Sequence, residues 1–132
     1  VDQVLHLLGN LRRSALFGEI AGAEECQTEV PFSLATPVGV LHGVIDLLFL
    51  DRAGKWRLVD WKTEPVAREQ TLGSAARPHL LQLAVYARAA ERFLGLWPRV
   101  AVCFLARDAA VYPCTADELE AAWRDAMLEV EG

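Results

Sequence analysis

Val4, Leu7, Leu8, Leu11, Ala15 and Leu16 recur at helical spacing, and this periodicity predicts one amphipathic helix over Val4–Ile20, loosened at its end by Gly18 and Gly22. Cys26–Ser33 alternates instead, with Gln27, Glu29 and Pro31 to one side and Thr28, Val30 and Phe32 to the other, and reads as a strand. Leu41–Leu50 is apolar on both faces, as a buried strand is. Trp56–Lys62 returns to alternation, and the short Asp51–Lys55 loop with Gly54 makes these two strands antiparallel neighbours. A polar connection through Glu64, Pro65 and Gly73 reads as a mobile loop. It ends at Pro78, which suits the first turn of a helix over Leu80–Leu94 that Gly95 stops. Arg99–Ala106 is a further buried strand, with Ala110–Pro113 as a short partner. Thr115 and Glu118 have the spacing of a capping box, opening a last helix to about Glu129. The order α, three β, α, β or ββ, α predicts a mixed α/β (α+β) fold: a central mixed sheet flanked by helices, in one domain over residues 1–132.

The charged positions that interrupt this pattern carry the chemistry. Asp46 is the one ionisable residue between His42 and Asp51, and a carboxylate inside an apolar strand is costly unless compensated. Asp60 and Lys62, two apart, share one face of their strand while Val59 and Trp61 share the other. The hairpin sets Asp46 beside Asp60, and two carboxylates so close repel unless a cation lies between them. A hard divalent ion answers this, with Asp46, Asp60, the Trp61 backbone carbonyl, water and a phosphate oxygen as oxygen ligands and Glu29 as a candidate third carboxylate. Gln82 and Tyr86, four apart, lie on one face of the following helix. Lys62 would then steer water and offset transition-state charge in phosphodiester hydrolysis. Each element alone has a plainer reading, as the solvated face of a strand or the polar edge of a packed helix. Their conjunction, in order and on suitable elements, favours a site.

Composition narrows the picture further. At 132 residues and 53% hydrophobic content the chain can bury a core without staples. It has no apolar run of about 18 residues or more, so no membrane helix is expected, and without a secretory pattern a cytoplasmic setting is the default. Cys26, Cys103 and Cys114 form no C-x-x-C pair, which argues against a zinc ribbon or an Fe–S cluster and for ordinary buried thiols. A formal net charge of −5 argues against autonomous nucleic-acid binding, so the grip on any DNA is expected to come from a fused motor domain or a partner. Val1 in place of Met points to an excised piece of something longer.

Glu29-Val30-Pro31-Phe32, Gly43-Val44-Ile45-Asp46, Asp60-Trp61-Lys62 and Gln82-Leu83-Ala84-Val85-Tyr86, in that order, resemble the nuclease domain of the RecB and AddA type, a branch of the PD-(D/E)XK superfamily. The resemblance runs from about Leu11 to Ala106. It implies a restriction-endonuclease-like core and magnesium-dependent, or manganese-dependent, DNA hydrolysis in exonuclease or endonuclease mode. It also implies a place at the carboxyl end of a helicase–nuclease in bacterial double-strand-break repair and recombination, near the nucleoid, where the partners are DNA and a helicase domain or subunit. On this likeness Asp46 and Asp60 ligate the metal with Glu29 as the additional carboxylate, Lys62 is the lysine of the D-x-K element, and Gln82 and Tyr86 match a Q-x-x-x-Y motif. Ile45 stands where the superfamily name has Pro, and the family's upstream helical His has no clear match, since the flanks of His6 differ. The alternative is a catalytically silent nuclease-fold module for DNA binding or subunit docking.

Overall fold

A computed structural model describes residues 2–131, and the side chains of residues 3–130. In chain order the elements are α1 (Asp2–Arg12), α2 (Ala15–Ala21), β1 (Glu25–Thr36), β2 (Gly39–Leu50), β3 (Trp56–Lys62), α3 (Leu72–Ala76), a 3-10 turn (Arg77–His79), α4 (Leu80–Leu94), β4 (Arg99–Phe104), β5 (Ala110–Cys114) and α5 (Ala116–Glu131). The strands lie in the order β1-β2-β3-β4-β5, antiparallel throughout except for the parallel β3–β4 pair. The connection between β3 and β4 carries α3 and α4, as a parallel pair requires.

Two apolar layers enclose the sheet. Leu7 and Leu16 from α1 and α2 pack on Leu47, Phe49, Val59 and Cys103 on one face. On the other, Ala75, Ala76, Leu83, Ala84, Ala87 and Leu119 from α3, α4 and α5 pack on Ile45, Leu48, Leu58, Val102 and Phe104. Leu58 on one face and Val59 on the other confirm the alternation read from β3. In β2, however, Ile45 and Leu48 face the same layer although they are three apart. The strand therefore turns over locally between them, at Asp46–Leu47.

The single helix expected over Val4–Ile20 is two. Ser14, in extended backbone conformation, accepts from the Phe17 N–H at 3.2 Å and donates to the Leu11 carbonyl at 2.6 Å, so it ends α1 and caps α2. The connection through Glu64, Pro65 and Gly73 to Pro78, expected as a mobile loop, contains α3, whose first turn Thr71 caps by accepting from the Ser74 N–H at 3.1 Å. Pro78 falls in the 3-10 turn rather than in α4 itself. The last strands are Arg99–Phe104 and Ala110–Cys114, and Leu105 still donates to the Lys62 carbonyl at 2.9 Å. The Thr115–Glu118 capping box forms reciprocally, at 3.1 Å and 2.9 Å. Cys103 and Cys114 are buried free thiols as expected, whereas Cys26 is exposed. No described helix is long and apolar enough to cross a membrane.

Candidate metal and phosphodiester site

The site forms where β2 and β3 part. Their ladder runs only from Leu47↔Val59 to Leu50↔Trp56, so the last three residues of β3 have no strand partner on the β2 side. The Asp46 side chain substitutes for one: its Oδ2 accepts the Trp61 N–H at 2.9 Å. A strand residue's N–H and C=O share one edge, so the Trp61 carbonyl lies on the Asp46 side of β3.

Asp60 and Lys62 project together into the layer of α4. The Lys62 ammonium stands 3.0 Å from Asp60 Oδ2 and donates to Gln82 Oε1 at 3.0 Å, and Gln82 Nε2 donates to the Tyr86 hydroxyl at 3.0 Å. The Phe32 ring meets Tyr86 edge-on with centroids 5.5 Å apart, fixing the phenol against β1. Asp60, Lys62, Gln82 and Tyr86 thus form one connected polar chain, with the Asp46 carboxyl within hydrogen-bonding reach of Asp60.

Its electrostatics are unusual at Asp60. This residue is 3% exposed, and Oδ2 has no hydrogen-bond partner of good geometry although the Lys62 ammonium is near. Burial, then the Asp46 carboxyl within hydrogen-bonding reach, push its pKa up to about 6 against the opposing pull of Lys62. The Tyr86 hydroxyl is pushed above its ordinary value by burial first and then by the charges of Asp60 and Asp46. A buried carboxylate oxygen with only one cation beside it, next to a second carboxylate, is the donor set a hard divalent ion takes. Magnesium commonly uses one or two carboxylates and completes its shell with water and substrate oxygens. The residues fit such an ion.

Glu29 does not join them. The register Thr28↔Leu47 and Val30↔Ile45 places it opposite Asp46, but its backbone is left-handed (φ 50°) and its side chain is exposed. Among the described residues no three His, Cys, Asp or Glu side chains converge as a metal group, so the expected third carboxylate is not gathered. His6 is exposed on α1. His42 bonds Ser33 at 2.8 Å, and His79 Nε2 is 2.9 Å from Glu64. A cavity of about 480 Å³ lies at the other end of β3, lined by Glu19, Asp51 and Arg52 among others. The charged chain sits instead where β2 and β3 part.

Arg107 was not singled out from the sequence. It donates to the carbonyls of Ala67, Arg68 and Gln70, in the connection that follows Lys62. No local pattern marks it, because its acceptors are main-chain groups 37 to 40 residues away.

Comparison with known proteins agrees with this geometry. The sequence profile of the PD-(D/E)XK nuclease superfamily matches residues 5–127. Two relatives each carry the name of an ATP-dependent helicase/nuclease subunit. The one from Heliobacterium modesticaldum is 35% identical over 110 residues, covering 70% of this chain and 8% of the relative. The one from Lysinibacillus sphaericus is 31% identical over 86 residues, covering 54% and 7%. The chain therefore spans less than a tenth of either. A crystal structure described as a "putative exonuclease" from Eubacterium rectale superposes with a TM-score of 0.71 at 15% identity, over 98% of this chain and 51% of that one, a likeness of fold.

Proposed function

Because this chain belongs to the PD-(D/E)XK nuclease superfamily, we propose that it hydrolyses DNA phosphodiesters with the help of a divalent cation. The observation that carries the reading is the convergence of Asp46, Asp60 and Lys62 where β2 and β3 separate. Asp46 and Asp60 would hold magnesium, or manganese in its place, with the Trp61 carbonyl on the same edge. Such an ion polarises phosphoryl oxygens and makes water more acidic. The chain's own residues do the rest. Lys62 keeps a positive charge beside the buried carboxylate, close enough to offset charge that develops on a phosphoryl group in the transition state. Gln82 accepts from that ammonium and ties it to α4, and the Tyr86 hydroxyl in turn accepts from Gln82. Trp61 N–H orients Asp46.

The relatives suggest the setting: the nuclease portion of a helicase–nuclease acting in double-strand-break repair, whose substrate is DNA and whose partner is a helicase domain or subunit. The decisive experiment follows nicking and end-degradation of labelled DNA by wild type, Asp60→Ala and Lys62→Ala, with magnesium, with manganese and with chelator. Metal-dependent cleavage lost in both variants is expected. Cleavage that persists in both would place the activity elsewhere.

A second reading, a silent nuclease-fold module for docking or DNA binding, is favoured by the net charge of −5 and by the two-carboxylate cluster. Calorimetry separates the two. Absence of magnesium or manganese uptake would favour the silent module.

A further inference from the structure

The connection from Thr63 to Thr71 leaves the site directly after Lys62 and is tied down near its end. Near its start the Glu64 carboxylate lies 2.9 Å from His79 Nε2, just ahead of α4, but without the geometry of a hydrogen bond. Near its end the Arg107 guanidinium donates to the carbonyls of Gln70 at 2.6 Å, Ala67 at 3.2 Å and Arg68 at 3.4 Å. Arg107 makes no ion pair with a carboxylate among the described residues, so these carbonyls are its partners. Its own placement is rigid. Arg107 N–H donates to Phe104 at 3.0 Å and Ala110 N–H to Arg107 at 2.9 Å, around Asp108 (φ 54°) and Ala109 (φ 57°). Two consecutive left-handed residues make the tight turn that matches strand twist, here without the usual Gly. Ala109 is buried, and its carbonyl accepts from the Cys103 thiol at 3.5 Å. With Leu105 bonded to the Lys62 carbonyl, the turn sits beside the site.

We propose that Arg107 is a positioning residue that holds segment 63–71 as a preformed wall next to the Asp46–Asp60–Lys62 cluster, ready to seat a substrate strand. The substrate half of this statement rests on the nuclease reading. The wall half does not. A segment ordered in advance spares binding the entropy of ordering it. Arginine suits the task because its planar fork offers five donors in fixed directions, whereas a lysine ammonium is a point charge on a flexible stem.

The test compares wild type, Arg107→Lys and Arg107→Ala by two readouts. Arg68 is exposed within the strapped segment, whereas Arg77 precedes Pro78, a bond trypsin does not cut. Native trypsin digestion read by mass spectrometry should show cleavage after Arg68 rising about tenfold or more in both variants, since local opening sets the rate. Cleavage at Arg124 in α5 should stay unchanged. In DNA cleavage both variants should raise KM about tenfold with kcat within about threefold, a loss of seating rather than of chemistry. Wild-type behaviour of Arg107→Lys in both readouts would mean that charge alone matters and would overturn the proposal. So would unchanged cleavage at Arg68 in Arg107→Ala. Hydrogen exchange on the wild type covers the case in which a variant does not fold: the Gln70 amide, which donates to the Ala67 carbonyl at 3.0 Å, exchanging at the free-peptide rate would also overturn it. A wild type inert on DNA would remove the nuclease reading and leave the tryptic and exchange data to decide on the wall.

Discussion

Both ends of β3 carry an aspartate beside a cation, in opposite surroundings. At the entry, Asp51 accepts from Lys55 N–H at 2.9 Å and Ala53 N–H at 3.0 Å, with the Arg57 guanidinium 3.5 Å away. The Lys55 backbone N–H, outweighing the cost of burial together with Arg57 and Ala53, holds the Asp51 carboxyl below its ordinary value. At the exit, Asp60 has no backbone donor and one ammonium, and burial drives its carboxyl up to about 6. Asp51 is a carboxylate the hairpin uses to build itself. Asp60 is one the fold tolerates at a cost, and on the proposed nuclease reading that cost serves chemistry rather than architecture.

The largest expected effect follows directly. Asp60→Ala or Lys62→Ala should reduce DNA cleavage by roughly 100- to 1000-fold or more, the scale for removing one preorganised charge-stabilising group. Asp51→Ala and Arg57→Ala should stay within about twofold of wild type in the same assay. Similar losses at both ends of β3 would erase the distinction between them.

Stability should respond in the opposite sense. The folded pKa of Asp60, about 6, lies above its ordinary 3.8, so its contribution to stability is full below pH 3.8 and is lost as pH rises through about 6. The rise from 3.8 to about 6 corresponds to about 3 kcal/mol. Asp60→Asn should therefore be more stable than wild type at pH 7 in chelator, by up to about 3 kcal/mol, with the difference closing near pH 4. Asp51 runs the other way. Its depressed pKa contributes stability above 3.8 that fades as pH falls through the lower folded value, so Asp51→Ala should lose stability at pH 7 and converge with wild type only in stronger acid. Urea titrations from pH 3 to pH 7.5 check both, and an Asp60→Asn variant weaker than wild type at neutral pH would contradict the assignment.

The contrast was only partly legible beforehand. β3 and α4 were readable to the residue, because alternation in Trp56–Lys62 and the Pro78 and Gly95 punctuation around Leu80–Leu94 are local signals. The nearness of the Asp46 and Asp60 carboxyls was readable too, since a five-residue loop sets the register of the hairpin up to Leu47↔Val59. Three features were not. Ser14 lies inside a periodic apolar stretch, and the pattern does not reveal that its hydroxyl caps a new helix there. The left-handed backbone of Glu29 removes it from the cluster although its register is opposite Asp46, and alternation presumes extended backbone. The order of segment 63–71 depends on Arg107, which reaches it from far along the chain. Sequence patterns capture periodic and local constraints; these three depend on single torsions or distant hydrogen bonds.

Gln82 allows a finer cut at the exit end. Its Oε1 is the second partner of the Lys62 ammonium, after Asp60. Gln82→Ala should lower kcat about tenfold, near the 1.4 kcal/mol scale of a charge-assisted hydrogen bond, with metal affinity unchanged because no ligand is touched. Calorimetry beside steady-state kinetics reads both. A loss as deep as that of Lys62→Ala would make Gln82 part of the chemistry rather than a support for the lysine.

The smallest effect belongs to the entry end. Arg57 pairs with Glu19 of α2 as well as with Asp51, and its guanidinium lies 5.1 Å from the centre of the Phe49 ring. Glu19 is nearly half exposed, so solvent screens the pair. A double-mutant cycle on Arg57 and Glu19 should return about 0.2–1 kcal/mol of coupling, falling toward zero in about 1 M salt. Arg57→Ala alone should cost more than that coupling, because it also strips contact from Phe49. The same cycle on Lys62 and Asp60 at pH 7 should return a larger value that salt barely moves, since the carboxylate is out of solvent and removing the lysine leaves it unpaired. Equal couplings with equal salt dependence would mean that the two ends of β3 differ in position only, and that burial at Asp60 has no electrostatic consequence for the site.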